Sequence, residues 1–375
     1  MRQYLYAGAK YPVSADLTRD LNRAAGRLAR KIQALDAAGL EISLYTRRYF
    51  KDYQLRLAPA LQMYAFILAW ALGKTPGPLG EITFVDYGGG SGLFSLLARE
   101  MGLGRVIYHD IYDLSCHDAA LIGGKLGLAA DEYVCGDVEV LSRYLRGQAP
   151  AATVLASHDV LEHIYDLEHF FRTLGALPGA PFRVVMASGA NSRNPRIARH
   201  LAQWQGRLEN QGLENPPEFK PRDSHLPYVE IRRSIIAQAA PTLEPGEIDQ
   251  LARATRGLKK EDISEAVARF CRQGTMPIPA HPTNTCDPLT GNWGERLLDF
   301  DELRRLARAA GFAAQIVPGY LGRDRNPLKK LVYPLRNWYI RFFPEKGLAR
   351  APNYLLVADR TQARVEKTCA PGALT

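Results

Sequence analysis

Four glycines lie between two apolar runs of the chain, in the segment Asp86-Tyr87-Gly88-Gly89-Gly90-Ser91-Gly92. Where a parallel strand passes into a helix, the free amides and the macrodipole of the helix N-terminus attract polar ligands. Glycines at that point let the ligand approach the backbone closely. The segment therefore predicts a site for a nucleotide-like ligand.

The dinucleotide fingerprint G-x-G-x-x-G does not fit this loop. Begun at Gly88 it requires a glycine at 93, where Leu93 stands, and begun at Gly90 it requires one at 95, where Ser95 stands. An acid, Asp86, also precedes the glycines. A carboxylate there suits a cationic amino acid moiety but would repel a pyrophosphate. The loop favours S-adenosylmethionine over NAD.

The stretch VDYGGGSG resembles the motif D-x-G-x-G-x-G of class I S-adenosylmethionine-dependent methyltransferases, and the resemblance covers residues 81–187 and the C-terminal strands. It implies that Asp110, which closes the strand RVIYHD, binds the ribose hydroxyls, and that Asp137 in VCGDVEVL lies near the adenine amino group. Singly, each acid is an ordinary strand-end or helix-capping residue. Together they indicate cofactor binding by Asp86, Gly88, Gly90, Gly92, Asp110 and Asp137.

The segment Asp159-Val160-Leu161-Glu162-His163 is similar to the D/E-x-x-E-H motif of the subgroup that includes ubiquinone-biosynthesis O-methyltransferases. In a helical loop Asp159, Glu162 and His163 would share one face. They could hold a divalent cation such as Mg²⁺, as in some members of that subgroup, with Asp159 and Glu162 as ligands. Alternatively His163 acts as a general base, or Glu162 and His163 only brace the loop.

Short strands alternate with helices from Glu81 onward, which predicts βαβ units. We expect a doubly wound, mostly parallel, seven-stranded α/β sheet of the Rossmann-like kind. The predicted parts are an N-terminal helical cap at 1–80, a cofactor-binding core at 81–189, a helical insertion at 190–296 as the acceptor-site lid, a C-terminal helix and strands at 297–360, and a tail at 361–375.

The net charge of +9 on 375 residues is unevenly distributed. Residues 81–187 carry 7 Lys and Arg against 14 Asp and Glu, whereas residues 1–80 carry 12 against 5. An acidic core argues against nucleic acid as a partner, because a duplex-binding enzyme surrounds its site with cations. An [N/D/S]-P-P-[Y/F/W] motif after the fourth strand is also absent. An RNA methyltransferase is thus the weaker alternative.

Residues 321–350 carry 8 basic against 2 acidic residues. Their apolar residues follow helical spacing, with cations away from that stripe and Pro334 as an interruption. Two interpretations stay open: the stripe packs against the catalytic core, or it makes a peripheral contact with anionic lipid through 326–343.

The N-terminus has neither the apolar region of a secretory signal nor the pattern of a transit peptide, which predicts a cytoplasmic protein, or one peripheral to the inner face of the membrane. The five cysteines lack C-x-x-C spacing, which supports neither a disulfide framework nor a cysteine zinc site. The apolar stretch Leu57–Leu72 contains Gln62 and is shorter than a membrane span, so it predicts a buried helix.

The function expected from these features is methyl transfer to a small-molecule, glycan or lipid-linked acceptor at a hydroxyl, with His163 removing the proton. His225 and His281 of the insertion are further candidates for the acceptor pocket. The same glycine loop has two weaker interpretations, an NAD-dependent oxidoreductase and a non-catalytic cofactor-binding protein. The sequence does not identify the acceptor or the oligomeric state.

Overall fold

The computed structural model describes residues 4–6, 8–36, 39–148, 152–179, 181–214, 223–322 and 327–360. The predicted tail at 361–375 lies outside these ranges. Seven strands form a single sheet, with bounds β1 Ile82–Tyr87, β2 Arg105–Asp110, β3 Glu132–Cys135, β4 Ala152–His158, β5 Phe182–Ser188, β6 Ala313–Pro318 and β7 Tyr354–Arg360.

The strand order is β3-β2-β1-β4-β5-β7-β6. Strands β1 to β5 pair in parallel, and β7 runs antiparallel to both β5 and β6. The predicted doubly wound, mostly parallel sheet is confirmed. The chain winds outward from β1 to β3 and then returns to β4 on the other side of β1. This reversal leaves a crevice at the carboxyl ends of β1 and β4, where sheets of this kind bind ligands.

Helices cover both faces of the sheet. Ile82 and Phe84 of β1 belong to one hydrophobic cluster and Val85 and Tyr87 to another, as the alternation of side chains along a strand requires. The helices that follow the first four strands are α4 Leu93–Glu100, α5 Asp113–Leu126, α6 Val138–Arg146 and α7 Leu167–Gly175.

The N-terminal region contains α1 Ala15–Ala34, α2 Leu44–Leu55 and α3 Leu57–Leu72. Helix α3 is buried, as predicted, and lies against β4 and β5, with α1 packed on it. A helix that is apolar on all sides requires burial on all sides. The predicted cap is therefore in large part a layer of the core, and α2, which has no clear sequence signal, lies near the glycine loop.

The predicted helical insertion contains α8 Pro195–Asn210, α9 Tyr228–Ala239, α10 Pro245–Ala254 and α11 Lys260–Gln273. It has a hydrophobic cluster of its own, centred on Ile236, Leu251 and Val267. The guanidinium of Arg232, fully buried, pairs with Glu209 of α8 and donates to the Ala252 carbonyl. These contacts join α8, α9 and α10 into one helical unit.

The C-terminal part adds α12 Phe300–Ala309, α13 Pro327–Phe342 and α14 Pro344–Leu348. Asp299 caps α12, accepting from the amides of Asp301 and Glu302. Helix α13 continues through Pro334. Among the described residues no single helix is long and apolar enough to cross a membrane, and only the pair α2 and α3, bent by 95°, has the required length and composition.

Candidate functional site

The glycine loop lies at the carboxyl end of β1, in the crevice between β1 and β4. Gly88, Gly90 and Gly92 have φ values of 69°, 53° and 78°, in the left-handed region that favours glycine. A Cβ added at Gly88 would lie 2.6 Å from Cγ2 of Val160, whereas one at Gly90 would meet nothing within 4 Å. The loop is thus packed against the segment after β4 at Gly88 and open above Gly90.

Asp86 lies beneath the loop and is buried. Its Oδ2 accepts from the amide and hydroxyl of Ser95, at 2.9 and 2.7 Å, which caps the first turn of α4. Burial raises the pKa of Asp86 to about 7; the Ser95 hydrogen bonds oppose this rise and the charge of Asp110 adds to it. The structure therefore gives this acid an electrostatic influence on the loop instead of an open ligand-binding position.

Asp110 holds the loop from the end of β2. Its Oδ2 accepts from the Gly90 amide at 2.9 Å and its Oδ1 from the Tyr112 amide at 2.9 Å. The Tyr108 hydroxyl donates to the Gly90 carbonyl at 2.6 Å. The predicted ribose-binding acid is therefore in contact with the open part of the glycine loop.

Asp137 follows β3 and is exposed at the start of α6. Its Oδ1 accepts from the amides of Glu139 and Val140, both at 3.0 Å. The amide of Gly136, one residue earlier, donates to the Asp110 carbonyl at 2.9 Å. The three predicted acids thus end or follow three neighbouring strands, with Asp137 also acting as a helix cap.

Tyrosines of α2, which belong to no recognised motif, approach the same edge. The ring of Tyr45 packs edge-on against Tyr49 and Tyr112, at 5.1 and 5.5 Å between centroids. Burial raises the pKa of Tyr45, and Tyr49, Asp110 and Asp223 raise it further. Tyr45, Tyr49 and Tyr53 recur every four residues, which is the signal for an aromatic helix face.

The predicted helical face at 159–163 is not formed. Asp159 has a φ of 53°, and only Leu161–His163 form a single 3₁₀ turn. The Oδ1 of Asp159 accepts from the Gly189 amide at 2.8 Å. The expected grouping of Asp159 with Glu162 and His163 on one helical face is therefore wrong, because the left-handed residue turns the chain before the helical turn begins.

Glu162 and His163 are instead grouped with Glu295, a residue of the insertion. Ligand atoms of these three side chains all lie within 4.8 Å of one another. Glu295 has no motif around it, so sequence reasoning missed it. Its positive φ of 60° is the one local peculiarity, and it is visible only in the structure.

Glu162 is fully buried, and neither carboxylate oxygen has a hydrogen bond of ordinary geometry among the described residues. Burial raises the pKa of Glu162 well above its usual range, Asp159 and Glu295 raise it further, and the Ser188 hydroxyl offsets part of the rise. A buried carboxylate whose hydrogen-bonding capacity is not met is costly. A cation or a retained proton would relieve that cost.

The ring of His163 is oriented by a backbone carbonyl. Its Nδ1 lies 2.8 Å from the Trp293 carbonyl oxygen, and because a carbonyl only accepts, Nδ1 carries the proton. Nε2 of the neutral ring is then the basic nitrogen, and it lies 3.7 Å from Oε1 of Glu295. This arrangement suits a proton acceptor or a metal ligand.

A cavity of about 570 Å³ lies beside this group. Asp159 and Gly189 line it from the strand ends, Arg196, His200 and Trp204 from α8, and Glu295 from the end of the insertion. Its walls thus combine two carboxylates, a guanidinium, an imidazole and an indole, which suits a polar ligand with an apolar part. The α8 residues lie in a segment without any recognised motif.

The other candidate histidines, His225 and His281, and the surface histidine His169 have structural contacts. Nδ1 of His281 accepts from the amides of Thr283 and Asn284, both at 3.2 Å, and burial lowers its pKa. The backbone carbonyl of His225 accepts from Leu213, and Nε2 of His169 lies 3.0 Å from Glu139 on the surface. None of the three lines the cavity described above.

No protein-family model and no curated protein sequence matches the chain. Solved structures that align with it include a SAM-dependent methyltransferase from Archaeoglobus fulgidus, with 15% identity over 83% of this chain and 99% of that one and a TM-score of 0.36. A putative methyltransferase of Haloferax volcanii, in complex with the activator Trm112, aligns with 14% identity, 85% and 98% coverage and a TM-score of 0.39.

A geranyl diphosphate C-methyltransferase from Streptomyces coelicolor A3(2) aligns with 14% identity over 86% of this chain and 82% of that one, at a TM-score of 0.36. Because these identities and TM-scores are low, we assign the fold of the chain from its own strand order. The predicted relation to ubiquinone-biosynthesis O-methyltransferases stays a prediction.

Proposed function

We propose that the chain is an S-adenosylmethionine-dependent methyltransferase that acts on a hydroxyl of a small-molecule, glycan or lipid-linked acceptor. The observation that carries the proposal is the set of three acids, Asp86, Asp110 and Asp137, around an open glycine loop at the switch point of the sheet. Such a set would repel a pyrophosphate but suits a ligand with a cationic end, ribose hydroxyls and an amine.

The residues present fit this cofactor. The open space at Gly90 leaves room for a ligand beside the loop, and Asp110 lies against Gly90. Asp110 would hold the ribose hydroxyls, Asp137 the adenine amine, and Asp86 would contribute negative charge below the loop. When bound, the cofactor supplies a methyl group that is already activated on a sulfonium.

The acceptor half of the site would then position a hydroxyl and remove its proton. We place the acceptor in the cavity beside Asp159, His200 and Glu295. Nε2 of His163 would take the proton while Nδ1 stays bonded to the Trp293 carbonyl. The nearby Glu295 carboxylate would stabilise the imidazolium that results.

A divalent cation held by Glu162, His163 and Glu295 is a second candidate at this position, favoured by the buried, unpartnered carboxylate of Glu162. One imidazole with two carboxylates is a donor set typical of Mn²⁺, Fe²⁺ or Zn²⁺, whereas Mg²⁺ prefers oxygen ligands. Because Nε2 of His163 can bind a metal or a proton but not both, activity that survives chelation assigns it to the proton.

The proposal is tested by transfer of a labelled methyl group from S-adenosylmethionine into fractionated cell extract. Lipid, soluble small-molecule, RNA and protein pools are counted separately. We expect label in the lipid or small-molecule pool, and transfer that is about 10²- to 10⁴-fold slower with the His163→Ala variant. Label in RNA would overturn the acceptor class, and no label in any pool, without S-adenosylhomocysteine binding, would overturn the enzyme class.

A further inference from the structure

Helix α13 exposes its apolar side to solvent. Leu328, Leu331 and Leu335 are 73%, 71% and 68% exposed, and the same side carries the exposed residues Val332, Trp338 and Phe342, followed by Phe343. The interpretation that this stripe packs against the catalytic core is therefore wrong. A contiguous apolar surface of this kind marks an interaction site in a soluble protein.

The helix is fixed to the core through its opposite side. The Asn337 side chain accepts from the Leu321 amide at 2.8 Å and donates to the Leu321 carbonyl at 2.9 Å. Ile340, on the same side as Asn337, is fully buried. These contacts fix the rotation of α13 about its own axis, so its apolar side faces solvent.

Cations lie on both sides of that face. At about 100° per residue, Lys329 and Arg336 fall on one flank of the apolar face and Lys330 and Arg341 on the other. An apolar centre between two basic rows is the pattern of a helix that lies in a membrane interface. Its apolar side chains enter the acyl boundary while the cations meet anionic headgroups.

We propose that α13 docks the protein on an anionic phospholipid surface, with Leu331, Leu335 and Trp338 inserted. A second copy of the chain is the poorer occupant, because segment 321–350 carries 8 basic against 2 acidic residues and two such faces would repel. This docking goes beyond the proposed methyl transfer and does not depend on it. It would bring the enzyme to acceptors carried in the membrane.

The proposal is tested by co-sedimentation of the full chain with vesicles of phosphatidylcholine alone or mixed with phosphatidylglycerol. We expect binding only to the mixed vesicles, weakened by high salt. The double variant Leu331→Asp, Leu335→Asp should bind at least tenfold more weakly, given the apolar area removed from the interface. Ile278→Asp changes a residue that is 90% exposed in the insertion and should bind normally.

Two further measurements separate docking from misfolding and from dimerisation. The double variant should keep the thermal unfolding midpoint of the wild type. Phospholipids with brominated acyl chains should quench the tryptophan fluorescence of the wild type more than that of Trp338→Phe. Absence of binding to anionic vesicles, or equal binding by the double variant, would overturn the proposal. So would a wild-type dimer that the double variant dissociates without any vesicle binding, since a second copy would then cover α13.

Discussion

The two halves of the site, on either side of β1, are built in different ways. In the cofactor half, Asp86, Gly90 and Asp110 belong to one strand-loop-helix-strand segment, in which Asp110 accepts from the Gly90 amide and Asp86 from the Ser95 amide. In the acceptor half, His163 is oriented by Trp293, which is 130 residues away along the chain. Cofactor recognition thus rests on local backbone geometry, whereas acceptor chemistry depends on how the insertion packs.

The largest expected effect lies in the acceptor half. Replacing His163 with alanine should lower kcat by about 10²- to 10⁴-fold, because no group would remove the acceptor proton. The affinity for S-adenosylhomocysteine should not change, since the cofactor half is intact. Initial rates with the labelled acceptor pool and titration calorimetry measure the two quantities.

The matched control is His169→Ala, a histidine on α7 paired with Glu139 at the surface. It should retain wild-type kcat. If His163→Ala loses cofactor affinity as well, the two halves are not separable and the contrast between them fails.

A smaller effect is expected from Asp110→Ala. This change removes the acceptor of the Gly90 and Tyr112 amides as well as the proposed ribose contact. We expect S-adenosylhomocysteine to bind about 10- to 100-fold more weakly, since each hydrogen bond to a charged group contributes about 1.5–3 kcal/mol. Asp113→Ala, on the exposed start of α5, should bind normally, and equal losses in both variants would contradict the assignment.

Asp86 should make cofactor binding depend on pH. Because its pKa is raised to about 7 by burial, the carboxylate gains a proton as the pH falls from about 8 to about 6. A cationic ligand then loses an attractive charge, and its affinity should fall by about 1 kcal/mol, the size of one screened charge pair. Binding titrations with S-adenosylmethionine across this pH range should show this fall in affinity in the wild type and not in Asp86→Asn. A fall in affinity that persists in the variant would assign the pH dependence to another group.

The smallest effect is expected at Asp137, which is exposed. Asp137→Ala should weaken S-adenosylhomocysteine binding by about three- to tenfold, the loss of one exposed hydrogen bond to the adenine amine, and cost about 1 kcal/mol of stability as a lost helix cap. Asp166→Ala removes the corresponding cap of α7 and serves as the control, with lower stability and normal affinity. Unchanged affinity in Asp137→Ala would show that the adenine lies elsewhere.

The cofactor half could be predicted because its signals are local. A short apolar run, four closely spaced glycines and an acid ending the next apolar run are each visible in a short window of sequence. The exact role of Asp86 could not be predicted, because its burial under Gly89 depends on how α4 begins, with Ser95 in its first turn.

The acceptor half was predicted only in part. The motif identifies Glu162 and His163, but the turn at Asp159 breaks the helical face that the sequence predicts for them. Glu295 and His200 have no sequence signal, since they reach the cavity only through the folding of the insertion on the sheet. The exposure of α13 likewise required the structure, because an amphipathic pattern does not say whether the apolar side faces the core or a membrane interface.

The glycine loop and its three acids are proposed to bind S-adenosylmethionine. Equilibrium calorimetry of the purified chain with S-adenosylhomocysteine and, separately, with NADH tests this proposal. We expect saturable binding of S-adenosylhomocysteine that S-adenosylmethionine displaces and that Asp110→Ala weakens, with no heat from NADH. Binding of NADH without binding of S-adenosylhomocysteine would contradict the proposed cofactor.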